Sequence, residues 1–372
     1  MKTQSSSAMR RLTMADRVLK NVLIDSEISD IVIRDGKIAF VGKSPLPGED
    51  MKGLKAFPGL IDIHTHGALG HDVTSGGHLE ELSDYQSRQG VTAWFPTTTT
   101  ADYETIYAVT HEKTDFDHGA RIMGFHMEGP YVNKKYKGAQ NEDFIKNPSL
   151  EEFKTFKNVK LITLAPELPG AFEFIENCGA KCIIGHSDAD YDTAMTAIGL
   201  GADCLTHTFN AMTPLHHRKP GIIGAAIESD AWAQVICDGL HVHRAVVKML
   251  YKTFGRKMIV ISDSVNPAYL PDGDYKYDGL DIKMTNGEAR LPDGTIAGSS
   301  HSALYGVKKL IEWGIPERDA FYMASGAPAE YTGLCTKGRI APGFDADIIL
   351  LDDELNLKYT LIGGEDDYVC WN

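Results

Sequence analysis

The chain begins and ends on alternation. Over residues 22–42, VLIDSEISDIVIRDGKIAFVG, apolar and polar positions trade places with a period of two, as in half-buried strands. Asp35-Gly36 within it predicts a tight hairpin turn. Residues 337–365, KGRIAPGFDADIILLDDELNLKYTLIGGE, repeat this texture with Gly and Pro as punctuation. Between the ends the rhythm changes. Eight short apolar runs recur, at 59–66, 93–99, 122–129, 161–167, 181–187, 204–210, 233–239 and 258–264. Stretches between them, such as LEELSDYQSRQG, YDTAMTAIGLG and RAVVKMLYKTFG, carry apolar residues at helical spacing and end at Gly. Strands that alternate with helices predict a parallel sheet, and eight of them predict a (β/α)8 barrel. The expected fold class is therefore α/β. Residues 58–335 are read as the barrel, and 1–57 with 336–372 as one small β-domain shared by both termini.

Composition narrows the class of partner. Hydrophobic residues make up 43% and charged residues 24% of the 372, which argues against disordered and fibrous chains. Lys plus Arg is 37 against 51 for Asp plus Glu, a net charge of −14. A polyanion is repelled by such a chain on average, so no nucleic-acid and no membrane partner is expected. One small anion in a local basic pocket stays compatible with this. The six cysteines form no CxxC and sit mostly in or beside apolar runs, which favours buried thiols in a reducing compartment. The first residues are basic without an apolar core, and no apolar run approaches membrane-spanning length. A soluble, cytoplasmic protein is expected.

A barrel of this kind carries its chemistry at the C-terminal ends of its strands. The first run ends in His64-Thr65-His66, the third in Glu128, and the fifth in His186. His207 lies in the sixth run and Asp263 in the eighth. These are the ligand types of a zinc-like or iron-like divalent ion. His64 and His66 share a strand face, and Asp62 falls deeper on that face. Singly, each residue has a bland reading: a hydrogen-bonded strand-end histidine, or a glutamate capping a turn. Jointly, five of eight strand ends with ligand-type residues make chance the poorer account. His126 shares the face of Glu128 and is expected to have a structural or supporting role. No GxSxG elbow, Walker A loop, GxGxxG or HExxH occurs, which lowers serine hydrolase, nucleotide hydrolase and dinucleotide chemistry.

At these residues the chain resembles the amidohydrolase superfamily and, within it, the family of N-acetylglucosamine-6-phosphate deacetylases. The shared blocks are PGLIDIHTHG (58–67), GFHMEGPYVNKKYKGAQ (124–140), LAPE (164–167), GHSDAD (185–190) and THTFNAM (206–212). RKPGIIGAA (218–226), DGLHV (238–242), ISDSV (261–265), AGSS (297–300) and the tail 324–352 belong with them. The resemblance implies a barrel with a small β-sandwich formed by both termini. It implies removal of the N-acetyl group from N-acetyl-D-glucosamine 6-phosphate, giving glucosamine 6-phosphate and acetate, in amino-sugar catabolism or cell-wall recycling. Glu128, His186 and His207 match the principal metal ligands. His64 and His66 match a second metal position, so one or two divalent ions (Zn, Fe, Mn or Co) are implied. Asp263 matches the catalytic acid/base beside the metal. Asn210 and Ala211 match a substrate-contacting turn, and Arg218 and His241 match groups around the sugar phosphate. Gln140 stands where some members have a substrate-contacting His. A homodimer with the phosphate near its interface is implied as well. The alternatives are a deacetylase for N-acetylgalactosamine 6-phosphate, another amidohydrolase of dihydroorotase or D-aminoacylase type, and an inactive barrel scaffold. Glu167, rather than a lysine, ends the fourth run, which argues against a carbamylated-lysine bridge. Residues 266–279, rich in Gly, Pro and Asp, are read as a lid over the site.

Overall fold

The structure is a computed structural model that describes residues 17–277 and 279–370. The basic start of the chain, residues 1–16, lies outside the described residues. Eight parallel strands form the barrel wall: Leu60–Thr65, Val91–Thr98, Phe125–Glu128, Val159–Leu164, Lys181–Ile184, Cys204–Leu205, Trp232–Ile236 and Met258–Ile261. Each pairs in parallel with the next. The wall meets itself just past the strand ends. Asp263 N–H donates to His64 O at 2.9 Å, and His66 N–H to Ser264 O at 2.8 Å. The seam of the barrel thus runs through residues of the predicted site.

The period of two along each strand sorts side chains between two cores. Leu161, Ile183 and Ile259 join Phe95 and Ile236 in one cluster. Their neighbours Ile162, Ile184 and Val260 join Phe174, Val247 and Leu310 of the surrounding helices in the other. Helix starts follow capping chemistry. Asp102, Asp190 and Ser302 each accept a hydrogen bond from the backbone N–H three residues on.

Both ends of the chain build one further sheet. Its order is Glu365–Val369, Leu357–Ile362, Ile348–Leu351, Lys55–Pro58, Arg17–Ile24, Glu27–Arg34, Lys37–Gly42. Ile348–Leu351 and Lys55–Pro58, far apart in sequence, are the antiparallel neighbours that join the two ends. Leu19, Ile31, Ile38, Ile348 and Leu361 share its core. The hairpin turn falls on Asp35 and Gly36, with φ of 50° and 75°, both left-handed as a two-residue turn requires. Phe57 stacks on Phe321 with ring centroids 3.6 Å apart, joining sheet to barrel. Residues 266–279 lead into a small antiparallel sheet, Gly273–Tyr277, Leu280–Thr285 and Glu288–Arg290, packed around Val265, Met284 and Ala297. No disulfide joins the six cysteines. No helix among the described residues is long and apolar enough to cross a membrane.

One buried carboxylate ties the start of the terminal sheet together. Asp30 accepts from Lys20 Nζ at 2.7 Å, Ser44 N–H at 2.8 Å and Asn21 N–H at 3.1 Å. Burial alone raises its pKa, but these donors outweigh it and bring the carboxyl down to about 2. A carboxyl depressed in the folded state contributes stability above its unfolded value of about 3.9 and loses it as the pH falls through about 2. Asp30→Asn is expected to lower unfolding stability at neutral pH by about 1.5–3 kcal/mol. In denaturant melts the gap to wild type should close between about pH 4 and pH 2.

Candidate active site

Four imidazoles and two carboxylates converge at the C-terminal mouth of the barrel, all of them buried. His64 and His66 do share a face: their Nε2 atoms stand 3.2 Å apart. Across the barrel, His186 Nε2 and His207 Nε2 are 3.1 Å apart. Glu128 lies between the pairs. Its Oε1 is 3.2 Å from His64 Nε2, 3.2 Å from His186 Nε2 and 2.9 Å from His207 Nε2. Its Oε2 is 3.3 Å from His66 Nε2. Asp263 Oδ1 stands 3.5 Å from His64 and 3.3 Å from His66. The result is two ligand-type groups, His64–His66–Glu128 and Glu128–His186–His207, that share one carboxylate.

The far sides of the rings fix which nitrogen faces inward. His66 Nδ1 lies 3.0 Å from Thr97 O, and His186 Nδ1 lies 2.8 Å from Tyr136 O. His64 Nδ1 lies 3.0 Å from Gln234 Oε1. A carbonyl oxygen only accepts, so each Nδ1 carries a proton and each Nε2 is the nitrogen that faces inward. Inward-facing nitrogens this close to one another and to Glu128 need positive charge among them, carried by protons on the rings or by a bound cation. Nitrogen ligands of a tetrahedral zinc-like ion, bound at about 2.0–2.1 Å, stand roughly 3.3 Å apart. The donor set and its spacing therefore fit a divalent ion bound by N and O ligands.

The backbone is bent to make this arrangement. His186, His207 and Asp263 have φ of 48°, 25° and 48°, in the left-handed region that non-glycine residues avoid. Such conformations cost on the order of 1–3 kcal/mol each and persist where the surroundings hold them. Gly129, after Glu128, lets the chain pass Thr100, since a Cβ there would lie 2.2 Å from Thr100 Oγ1. Burial opposes charge on Glu128, yet His64, His186 and His207 outweigh it and keep its pKa well below the usual range. Burial is likewise outweighed at Asp263, by His64 and His66, so this carboxyl is also held ionised. Asp62, beneath them, accepts from His64 N–H at 3.3 Å and Ser262 N–H at 3.4 Å, and burial raises it to about 6. His126 is held at both nitrogens, by Ile63 O and Thr163 Oγ1, each at 2.9 Å. Burial and the neighbouring His64 drive its pKa well down.

Above Glu128 opens a cavity of about 370 Å³. His66, Glu128, His186, His207 and Asp263 form its floor, and Gln140, Asn210, Ala211 and His241 lie in its wall. His64 is sealed beneath it. Gln140 turns toward the ligands: its Nε2 donates to Glu128 Oε2 at 2.5 Å while its Oε1 accepts from Thr100 N–H at 2.6 Å. His241 Nδ1 is 2.6 Å from Asp238 Oδ2, which aims the other ring edge outward. Arg218 is not brought to the cavity. It lies on an exposed loop, donates to His217 Nε2 at 2.8 Å, and lines a separate groove with Lys219 and Asp190.

Reading the sequence alone missed several participants. Gln234 leaves a signal, a polar residue inside an apolar strand run. The carbonyls of Thr97 and Tyr136 leave none, because every residue has one. Thr295 and Ile296, behind the inserted sheet, close one side of the cavity beside Gly298 of the AGSS block. They are far in sequence from the strand ends and carry no ligand chemistry.

With this geometry in view, comparison with known proteins is direct. Residues 56–366 match the model of the amidohydrolase family. An N-acetylgalactosamine-6-phosphate deacetylase of Escherichia coli O157:H7 is 32% identical over 350 residues, 90% of this chain and 93% of that protein. An N-acetylglucosamine-6-phosphate deacetylase of Vibrio furnissii is 34% identical over 324 residues, 82% of this chain and 81% of that one. The crystal structure of N-acetylglucosamine-6-phosphate deacetylase from Thermotoga maritima superposes with a TM-score of 0.88 at 31% identity, covering 95% of this chain and all of that one. On the match over residues 56–366, the chain belongs to the amidohydrolase family.

Proposed function

We propose that this chain is a metal-dependent deacetylase that hydrolyses N-acetyl-D-glucosamine 6-phosphate to glucosamine 6-phosphate and acetate in the cytoplasm. The observation that carries the reading is the buried convergence of His64, His66, His186 and His207 on Glu128, with Asp263 at the cavity floor. Glu128, His186 and His207 hold one ion in this reading, and His64 and His66 with Glu128 offer a second position. Zn, Fe, Mn and Co all suit such donors. A bound ion supplies Lewis acidity to the amide carbonyl and to the attacking water.

Asp263 does the proton work. Held ionised by its imidazole neighbours, it takes a proton from the attacking water and later delivers it to the departing nitrogen. One carboxylate can serve both steps because they follow one another. Asn210, Ala211 and His241 orient the sugar from the cavity wall, and Gln140 steadies Glu128. Arg218, outside the cavity on its exposed loop, meets the phosphate of a substrate bound in a second copy, within a homodimer. Its planar fork suits phosphate oxygens. Leu215 on the same loop is 39% exposed, which is consistent with a surface covered by a partner.

A second reading has one observation in its favour. The Escherichia coli relative that matches 90% of this chain carries the galacto name. Acetate release from both N-acetylated sugar 6-phosphates and from the unphosphorylated sugars, with metal content measured on the same sample, tests the proposal. Turnover of neither 6-phosphate by metal-replete protein would refute it.

Three outcomes are expected. Asp263→Asn loses about 10²–10⁴ in kcat, as removal of general acid–base help predicts, while its metal content stays at the wild-type level. Chelation stops acetate release, and adding one of the four divalent ions restores both metal content and turnover. Arg218→Ala raises KM for the 6-phosphate substrate at least tenfold and leaves that for the unphosphorylated sugar unchanged; an equal effect on both removes Arg218 from the phosphate site.

A further inference from the structure

Glu167 follows the fourth barrel strand and belongs to neither ligand group. It is nonetheless heavily engaged. Oε1 accepts from Asn133 Nδ2 at 2.8 Å and from Asp188 N–H at 2.6 Å, and Oε2 accepts from Ser187 Oγ at 2.6 Å. All three donors flank His186. Ser187 and Asp188 follow it in the chain. Asn133 opens the loop that runs to Gln140, and this loop touches His186 twice more. Asn133 N–H donates to His186 O at 2.8 Å, and Tyr136 O accepts from His186 Nδ1–H at 2.8 Å. The loop's own turn is set by Asn133 Oδ1, which accepts from Lys135 N–H at 2.9 Å. At its far end, Gln140 donates to Glu128.

We infer that Glu167 is a positioning residue: it clamps the Asn133–Gln140 loop to the backbone after His186, and so sets the direction of the His186 ring and, through Gln140, of Glu128. His186 needs such a clamp because its φ of 48° is not a conformation it adopts unaided. A carboxylate accepts from all three donors at once; a glutamine of the same shape keeps at most the two at Asn133 and Asp188 and turns its NH2 toward Ser187 Oγ, which already accepts from Ala189 N–H at 3.0 Å. The surface pair Lys135–Asp188, 2.9 Å apart, links the same two segments but is more exposed than the half-buried links to Glu167 and contributes less.

The inference rests on the reading of His186 as a metal ligand, and Co²⁺ separates the two. Apo wild type and Glu167→Gln are titrated with Co²⁺, and the visible d–d absorption and the dissociation constant are recorded together with kcat, KM and the apo melting temperature. Loss of a group that orients a ligand typically weakens metal binding or activity by roughly 10–100-fold. Glu167→Gln is expected to bind Co²⁺ about 10–100-fold more weakly with an altered spectrum, and kcat should fall more than KM rises. If wild type takes up no Co²⁺, the metal reading itself is overturned. If wild type binds but Glu167→Gln binds with the same affinity and spectrum, the positioning role is overturned, even where the variant melts earlier. Should Glu167→Gln fail to fold, Ser187→Ala, which removes one of the three links, is read in the same way: a shifted Co²⁺ spectrum supports the clamp and an unchanged one refutes it.

Discussion

Everything at the mouth of this barrel depends on one buried carboxylate shared among four imidazoles. Glu128 is within 3.3 Å of the Nε2 atoms of His64, His66, His186 and His207. A charge without partners at that depth would be expelled or neutralised, because burial penalises the ionised form by several kcal/mol. Three strands supply the four imidazoles from opposite sides, and positive charge on these rings exceeds the burial penalty. The arrangement holds only while the strands stay in register, so the barrel's closure and the site's electrostatics are one constraint. The seam bonds from Asp263 to His64 and from His66 to Ser264 make this literal, since the backbone of the site is the last rung of the wall.

Precision of this kind has a local cost. Three of the convergent residues sit at positive φ, and each is held by neighbours. His186 is framed by the Asn133–Gln140 loop and by Glu167, Asp263 by the backbone of His64 and Ser299, and His207 by Asn210. Strand geometry alone would aim these side chains along the pleat. The left-handed turn at the strand end swings them over the barrel axis, where they meet. Strain here reflects tertiary bonds outweighing local preference.

Much of the fold was legible in the sequence. The eight apolar runs fall on the eight barrel strands, and the Asp35-Gly36 turn lies where alternation placed it. Apolar periodicity is a direct record of burial, which is why it carried through. The small sheet at 273–290 was missed because its strands are short and its first residues, rich in Gly, Pro and Asp, read as loop. Ligand types were legible because few side chains bind metals. Their supports were not: backbone carbonyls such as Tyr136 O have no residue identity, and Glu167 registered in the sequence only as the absence of a lysine.

Charge shows most clearly where bulk properties stop informing. A net charge of −14 says that an anion gains nothing from the molecule as a whole. Screening confines the matter: beyond about 8 Å at physiological salt, distant carboxylates contribute little to what a phosphate feels. Recognition of a doubly charged group must then come from a few donors within contact distance. The cavity wall offers Lys135 and His241, and the latter is already committed on one edge to Asp238. Two such groups are few for a phosphate, whose oxygens each accept more than one hydrogen bond. Arg218, Lys219 and His217 stand together on an exposed loop away from that wall. Cations on a loop that does not line the cavity, and a cavity short of them, are what the proposed two-copy site would reconcile.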